Sequence, residues 1–221
     1  PKVVAAGEGV LVLYAAERDR NWEVFAVPCG SGGPGRPVNV SAHPGVDFKP
    51  AGAWRDGTLW VAWESNREGS RRILLASLRD GHISRAEPVT TGGTSSYAPS
   101  IAVASNGLVS VAFHSFREHN YDVFLRQRPP AGGWLPERRL TRAATIDRHP
   151  VLLTHGDDLW LLYENARTDA YHTGHTNNRR IIVGKITSRG LEAPKAQKGS
   201  PLDGPGEAAA ASFDATGRLW I

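Results

Sequence analysis

Four arginines stand at one fixed place in this sequence. Arg18, Arg67, Arg117 and Arg167 each follow an aromatic residue (Tyr14, Trp63, Phe113, Tyr163) by four positions. A guanidinium offers five donors in a planar fork that suits carboxylates and phosphates. Four of them around one mouth would hold an acidic sugar or a phosphorylated ligand. The same regularity has a structural reading, in which a residue repeated in every copy makes the same bond in every copy; Arg67 would then tie its loop to neighbouring carbonyls or to an aspartate such as Asp47 or Asp147. Glu64 and Glu164 come directly after two of the aromatics. A carboxyl beside a buried ring can have a raised pKa and serve as a general acid, with Asp147 as a third candidate. Otherwise these acids are solvated loop charges or partners of the nearby arginines. His149 joins them as a ligand contact. One stretch breaks the pattern: Arg167 and Ile181 are 14 residues apart, against six in the other copies. The extra residues carry Asp169, Tyr171, His172 and His175. Repeat-specific insertions map to loops, often on the binding face, so these four are expected to contact ligand or to form a solvated loop. A His-x-x-His on a loop lacks a third ligand, so neither metal nor cofactor is assigned.

The elements that must position these residues follow from an internal repeat. Val10–Tyr14, Leu59–Trp63, Val109–Phe113 and Leu159–Tyr163 align at intervals of 49, 50 and 50 residues, and Leu219-Trp220-Ile221 begins a fifth copy. Prolines Pro1, Pro50, Pro99 and Pro150 keep the same beat. So do Val24, Ile73 and Val123, each six residues after its arginine, and Ser41, Thr90 and Thr141 at the end of a later segment. Turn pairs such as Asp56-Gly57 and Asn106-Gly107 precede the aromatic runs. Each copy reads as four short strands, and no stretch has helical periodicity. The run Leu159-Trp-Leu-Leu-Tyr163 is apolar on both faces, which requires cover on both. Four-stranded units of this length, packed face to face, are the blades of a β-propeller. A two-sheet sandwich is the alternative, but sandwiches lack a 50-residue period. The expected fold is all-β, with about four complete blades (1–41, 46–90, 95–141, 146–194) and the start of a fifth (205–221), a fragment of a ring of six or seven. Arg71-Arg72 and Arg179-Arg180 are expected on third strands toward the outer rim, where charges blunt edges.

With the blades laid out, the chain resembles sialidase-like and TolB-like propeller repeats. The residues that carry the likeness are Pro50 through Asp56-Gly-Thr-Leu-Trp-Val-Ala-Trp-Glu-Ser-Asn-Arg67, and Pro99 through Asn106-Gly-Leu-Val-Ser-Val-Ala-Phe-His-Ser-Phe-Arg117, followed by Tyr121-Asp-Val-Phe124. The likeness covers essentially the whole chain. It implies the propeller part of a large secreted bacterial protein, with a downstream domain in the parent chain as a partner. The sialidase pattern S-x-D-x-G-x-x-W does not occur, nor does the family's Arg-Ile-Pro; Arg148-His-Pro150 is a distant echo. These departures weigh against catalysis.

Composition removes other classes. The 221 residues carry 26 basic and 22 acidic side chains, net +4, with Arg outnumbering Lys by 21 to 5. Mixed charge without a basic stripe argues against nucleic acid. No apolar run approaches the roughly 18 residues of a membrane span. Cys29 is the single cysteine, so no intrachain disulfide forms. There is no methionine, even at position 1, which suggests a piece of a longer chain. The expected function is a non-catalytic binding or scaffold module whose ligand is a glycan or another protein domain. Regularity favours it, because an active site is asymmetric and the conspicuous residues repeat. The alternative is a sialidase-like glycoside hydrolase acting from the loop face; a third reading has the propeller position an attached catalytic domain. A secreted or periplasmic location is implied by the resemblance alone.

Overall fold

The computed structural model describes residues 1–167 and 179–221. These fall into two compact units, Pro1–Val103 and Ala104–Ile221. Among the described residues there is no α-helix, and no helix is long and apolar enough to cross a membrane.

In the first unit, β1 (Lys2–Ala6), β2 (Gly9–Arg18) and β3 (Asn21–Gly30) form an antiparallel meander, with β4 (Gly33–Pro34) and β5 (Val38–Asn39) both paired to β3. A second sheet repeats the plan with β6 (Asp47–Arg55), β7 (Thr58–Glu68) and β8 (Ser70–Arg79), whose outer edge carries β9 (His82–Ile83) and β10 (Glu87–Pro88). β11 (Ser96–Val103) ends the unit. The second unit contains β12 (Val109–Arg117), β13 (Asn120–Arg128) and β14 (Arg138–Arg139), then a full sheet of β15 (Ile146–His155), β16 (Asp158–Ala166), β17 (Arg179–Thr187) and β18 (Gly190–Glu192). The hairpin β19 (Ser212–Phe213) and β20 (Leu219–Trp220) comes last. This is the β-propeller plan: consecutive meanders of the same construction.

The aromatic-ended runs are the second strands. Val61, Ala62 and Trp63 are fully buried, as are Val111, Ala112 and Phe113. Adjacent strand residues point to opposite faces, so burial of all three means both faces are covered. In the first unit, Leu13 and Val24 of one sheet pack with Leu59, Val61 and Trp63 of the next in a single apolar cluster. Tight turns set the register. Arg55 pairs with Thr58 across Asp56-Gly57, whose φ values of 47° and 77° suit a two-residue hairpin. Glu118-His119 makes the same turn with φ of 50° and 65°, without glycine.

The fourth strands are short: Glu87–Pro88 and Arg138–Arg139 pair, two or three residues before Thr90 and Thr141. Just beyond them the chain forms a repeated latch. The Val24, Ile73 and Val123 N–H groups donate to the side-chain oxygens of Ser41, Thr90 and Thr141, each at 3.0 Å. One residue earlier, Val40, Val89 and Leu140 donate their N–H to the carbonyls of the same three residues at 2.8 Å. Two positional repeats in the sequence are thus the two ends of one bond.

Candidate functional site

The site is built on a kink that recurs in the first strands and once more in the chain leading to β19. Lys49, Ala98, His149 and Ala208 all have positive φ, between 47° and 54°. Two of these kinks are β-bulges, where the register shifts between Phe48 and Ala51 and between Arg148 and Val151. A bulge re-aims its residue and frees an N–H. At three of the four kinks the N–H is taken by the side chain just after the aromatic of the preceding second strand. Ala98 donates to Glu64 Oε1 at 2.8 Å, His149 to His114 Nδ1 at 3.3 Å, and Ala208 to Glu164 Oε1 at 2.7 Å. Accepting at Nδ1 leaves the proton of a neutral His114 ring on Nε2.

Each acid has a cationic setting. Glu64 is fully buried, with Lys49 Nζ at 3.4 Å and Arg71 at 3.5 Å. The Arg71 guanidinium lies over the Phe48 ring (4.8 Å) and the Tyr97 ring (5.6 Å). It is therefore stacked and paired, a fuller role than blunting a strand edge. Its flat counterparts Trp22 and Tyr121 follow their aromatics by the same eight residues, a spacing that marks the position but not its stacking role. Glu164 repeats the arrangement with His149, whose Nδ1 lies 2.9 Å from Oε2. Burial pushes the Glu164 carboxyl up. The Ala208 N–H, the His149 hydrogen bond and the charges of His149 and Arg179 outweigh it and hold the carboxyl below its ordinary range. Arg179 itself pairs with Glu207.

Asp147 has the opposite character. It is 1% exposed, and burial drives its pKa up to about 6. Hydrogen bonds from Asn165, Thr141 and Thr145 pull the other way, and the charge of Asp122 pushes further up. Asp47 holds the corresponding place in the first unit, where Arg67 donates to it at 2.8 Å. Among the described residues Asp147 has no such guanidinium partner. Asp147 pairs with Asn165 across the strands and Arg148 with Glu164. Asp147 and Glu164 therefore point to opposite faces of one sheet and are not brought together.

The arginines do not share one bond. Arg67 joins Asp47 and the Ser41 carbonyl (3.0 Å). Arg117 pairs with Glu137, bonds Ser115 Oγ at 3.2 Å and stacks on Phe124 at 4.1 Å. Arg18 is exposed beside Asp19, and Arg167 is exposed. Asp169, Tyr171, His172 and His175 lie outside the described residues. Among the described residues no three His, Cys, Asp or Glu side chains are grouped as a metal site.

Neither a protein-family model nor a curated protein sequence matches the chain. Solved structures do match in fold. TolB from Acinetobacter baumannii superposes with a TM-score of 0.60 at 11% identity, over 98% of this chain and 46% of that one. A thermostable family-43 glycoside hydrolase gives 0.59 at 12% identity, over 93% and 77%. A subtype N10 neuraminidase-like protein of a little yellow-shouldered bat virus gives 0.57 at 10%, over 87% and 56%. The chain spans 41% of a family-43 protein from a capybara gut metagenome that it also resembles. At these identities the likeness carries the fold, a propeller of the kind found in TolB, the neuraminidase-like proteins and these hydrolases.

Proposed function

We propose that this chain is a non-catalytic binding or scaffold module of a secreted or periplasmic protein, presenting its loop face to a glycan or another protein domain. The observation that carries this reading is the engagement of the acids. Glu64 and Glu164 each accept a backbone N–H, from Ala98 and Ala208, and Glu164 is held ionised. A general acid must have a proton to give. A glycosidase also needs two carboxyls roughly 5–9.5 Å apart across one bond, whereas Asp147 and Glu164 point to opposite faces of their sheet. Glycan as a ligand class is supported by fold neighbours that include an endo-1,4-beta-xylanase and an arabinanase. In this reading the exposed Arg18 and Arg167 and the insertion carrying Asp169, Tyr171, His172 and His175 contact ligand, while Arg67 and Arg117 hold the loops.

A second reading, a sialidase-like glycoside hydrolase, rests on Asp147, whose pKa of about 6 lies in the range of a general acid. One experiment separates the two. The protein is tested for turnover of chromogenic glycosides, sialosides included, and for calorimetric binding of the matching oligosaccharides. Binding without turnover, unchanged in Asp147→Asn, is expected. Hydrolysis that disappears in Asp147→Asn or Glu164→Gln would overturn the binding-module reading.

A further inference from the structure

The repeat makes departures from it visible, and in β12 and β13 three departures meet in space. Where other copies have Ala15, Glu64 or Glu164, this one has His114; where they have Glu17, Asn66 or Ala166, it has Phe116; and Tyr121 occupies the place of Trp22 and Arg71. Phe116 and Tyr121 are direct cross-strand partners, and His114 shares their face two residues along β12. The Phe116 and Tyr121 rings lie 5.0 Å apart, and His114 meets Tyr121 edge-on at 5.9 Å. His149 continues the row, perpendicular to His114 at 5.3 Å, and Arg148 lies over Tyr121 at 5.7 Å. Both ends of the row are open to solvent: Phe116 is 47% exposed and the His149 side chain 49%. The two-residue Glu118-His119 turn and the Glu164 contact to His149 hold the row in place.

We infer that Phe116, Tyr121, Arg148 and His149 form a glycan subsite, in which a neutral pyranose ring stacks on Phe116 and hydrogen-bonds the polar end of the row. The inference rests on the binding-module reading and names the place and ligand of one contact within it. A flat ring with an exposed face receives the C–H face of a sugar, and neighbouring imidazole and guanidinium groups supply directional donors, the usual composition of a small-molecule site. Phe116 departs from its repeat and keeps 47% of its surface exposed beyond its contact with Tyr121, and binding sites tend to be where repeats differ.

The test is calorimetric titration of the full chain with xylohexaose, cellohexaose and maltohexaose. Phe116→Ala should weaken binding of the preferred hexasaccharide about tenfold, with an unchanged melting temperature because the ring is half exposed. Trp22→Ala removes an exposed aromatic of the first unit and should leave affinity unchanged. His149→Gln, which keeps a donor, should weaken binding less than His149→Ala. Hexasaccharide binding that Phe116→Ala leaves intact would overturn the subsite while leaving the binding-module reading standing. No binding of any hexasaccharide would overturn the subsite; binding of a protein domain on the same face would still support the broader reading.

Discussion

Asp147 and Glu164 lie one strand apart and titrate in opposite directions, and the difference comes from their neighbours. Glu164 has an N–H, an imidazole and an arginine charge around it; Asp147 has hydroxyls, an amide and the like charge of Asp122. The Asp147 carboxyl, raised to about 6, is favoured in its protonated form by the folded state. Its contribution to stability is therefore fully present below the unfolded value near 3.9 and is lost as pH rises through about 6. A rise from near 4 to about 6 corresponds to about 3 kcal/mol. Glu164 acts with the other sign: its contribution is present above the ordinary carboxylate range and is lost as pH falls through its lowered value. Comparing wild type with Asp147→Asn cancels the Glu164 contribution. Urea unfolding should show the variant equal to wild type near pH 4 and more stable by up to about 3 kcal/mol at pH 7. Parallel pH profiles for the two proteins would show that Asp147 is not the titrating group.

At the scale of elements, the latch from third strand to blade end decides how each meander is closed. In Thr90→Val the volume is kept, but the Ile73 N–H loses its hydroxyl acceptor inside the protein. A buried donor left without a partner costs about 1–3 kcal/mol. Thr90→Ser keeps the oxygen and should cost less. Hydrogen exchange at the Ile73 amide should quicken in Thr90→Val and stay near wild type in Thr90→Ser; equal protection in both would mean that the hydroxyl does not hold the latch. The sequence shows this element only in part. The period at Val24, Ile73 and Val123 and at Ser41, Thr90 and Thr141 is plain, but no pattern of hydrophobicity says that positions 17 or 18 residues apart are bonded. The strands and their order were legible because burial on both faces leaves continuous apolar runs. The bulge was not. Lys49, Ala98 and His149 take positive φ without being glycine, and nothing in their side chains announces it. Without the kinks at Ala98 and Ala208, Glu64 and Glu164 look like loop charges; with them, they are buried acceptors. The same gap hid Arg71, whose stacking depends on Phe48 and Tyr97 reaching it from two different first strands.

Across the whole molecule, large and small residues exchange between two positions of the repeat. Gly52 lies three residues past the Lys49 kink, and a β-carbon there would press on Leu13 Cδ1 and come within 3.0 Å of Val4 Cγ2. The corresponding positions after Ala98 and His149 are Ile101 and Leu152, which are large. The repeat position of Leu13, which faces Gly52, changes in the opposite sense: it is Ala62 and Ala112 in the next two copies. Leu13 against Gly52 is the observed contact, and by position in the repeat its counterparts are Ala62 with Ile101 and Ala112 with Leu152. Close-packed interiors respond to volume at each contact. Gly52→Ile alone overfills the first contact and should cost about 1–3 kcal/mol or more. Leu13→Ala alone leaves a cavity and should cost about 2–5 kcal/mol. The double variant installs the size order of the other copies, so the two costs should not add. A favourable coupling of about 0.5–3 kcal/mol is expected from a double-mutant cycle on urea unfolding. Strict additivity would mean that Leu13 and Gly52 do not share one space, and that the size exchange between copies has another cause.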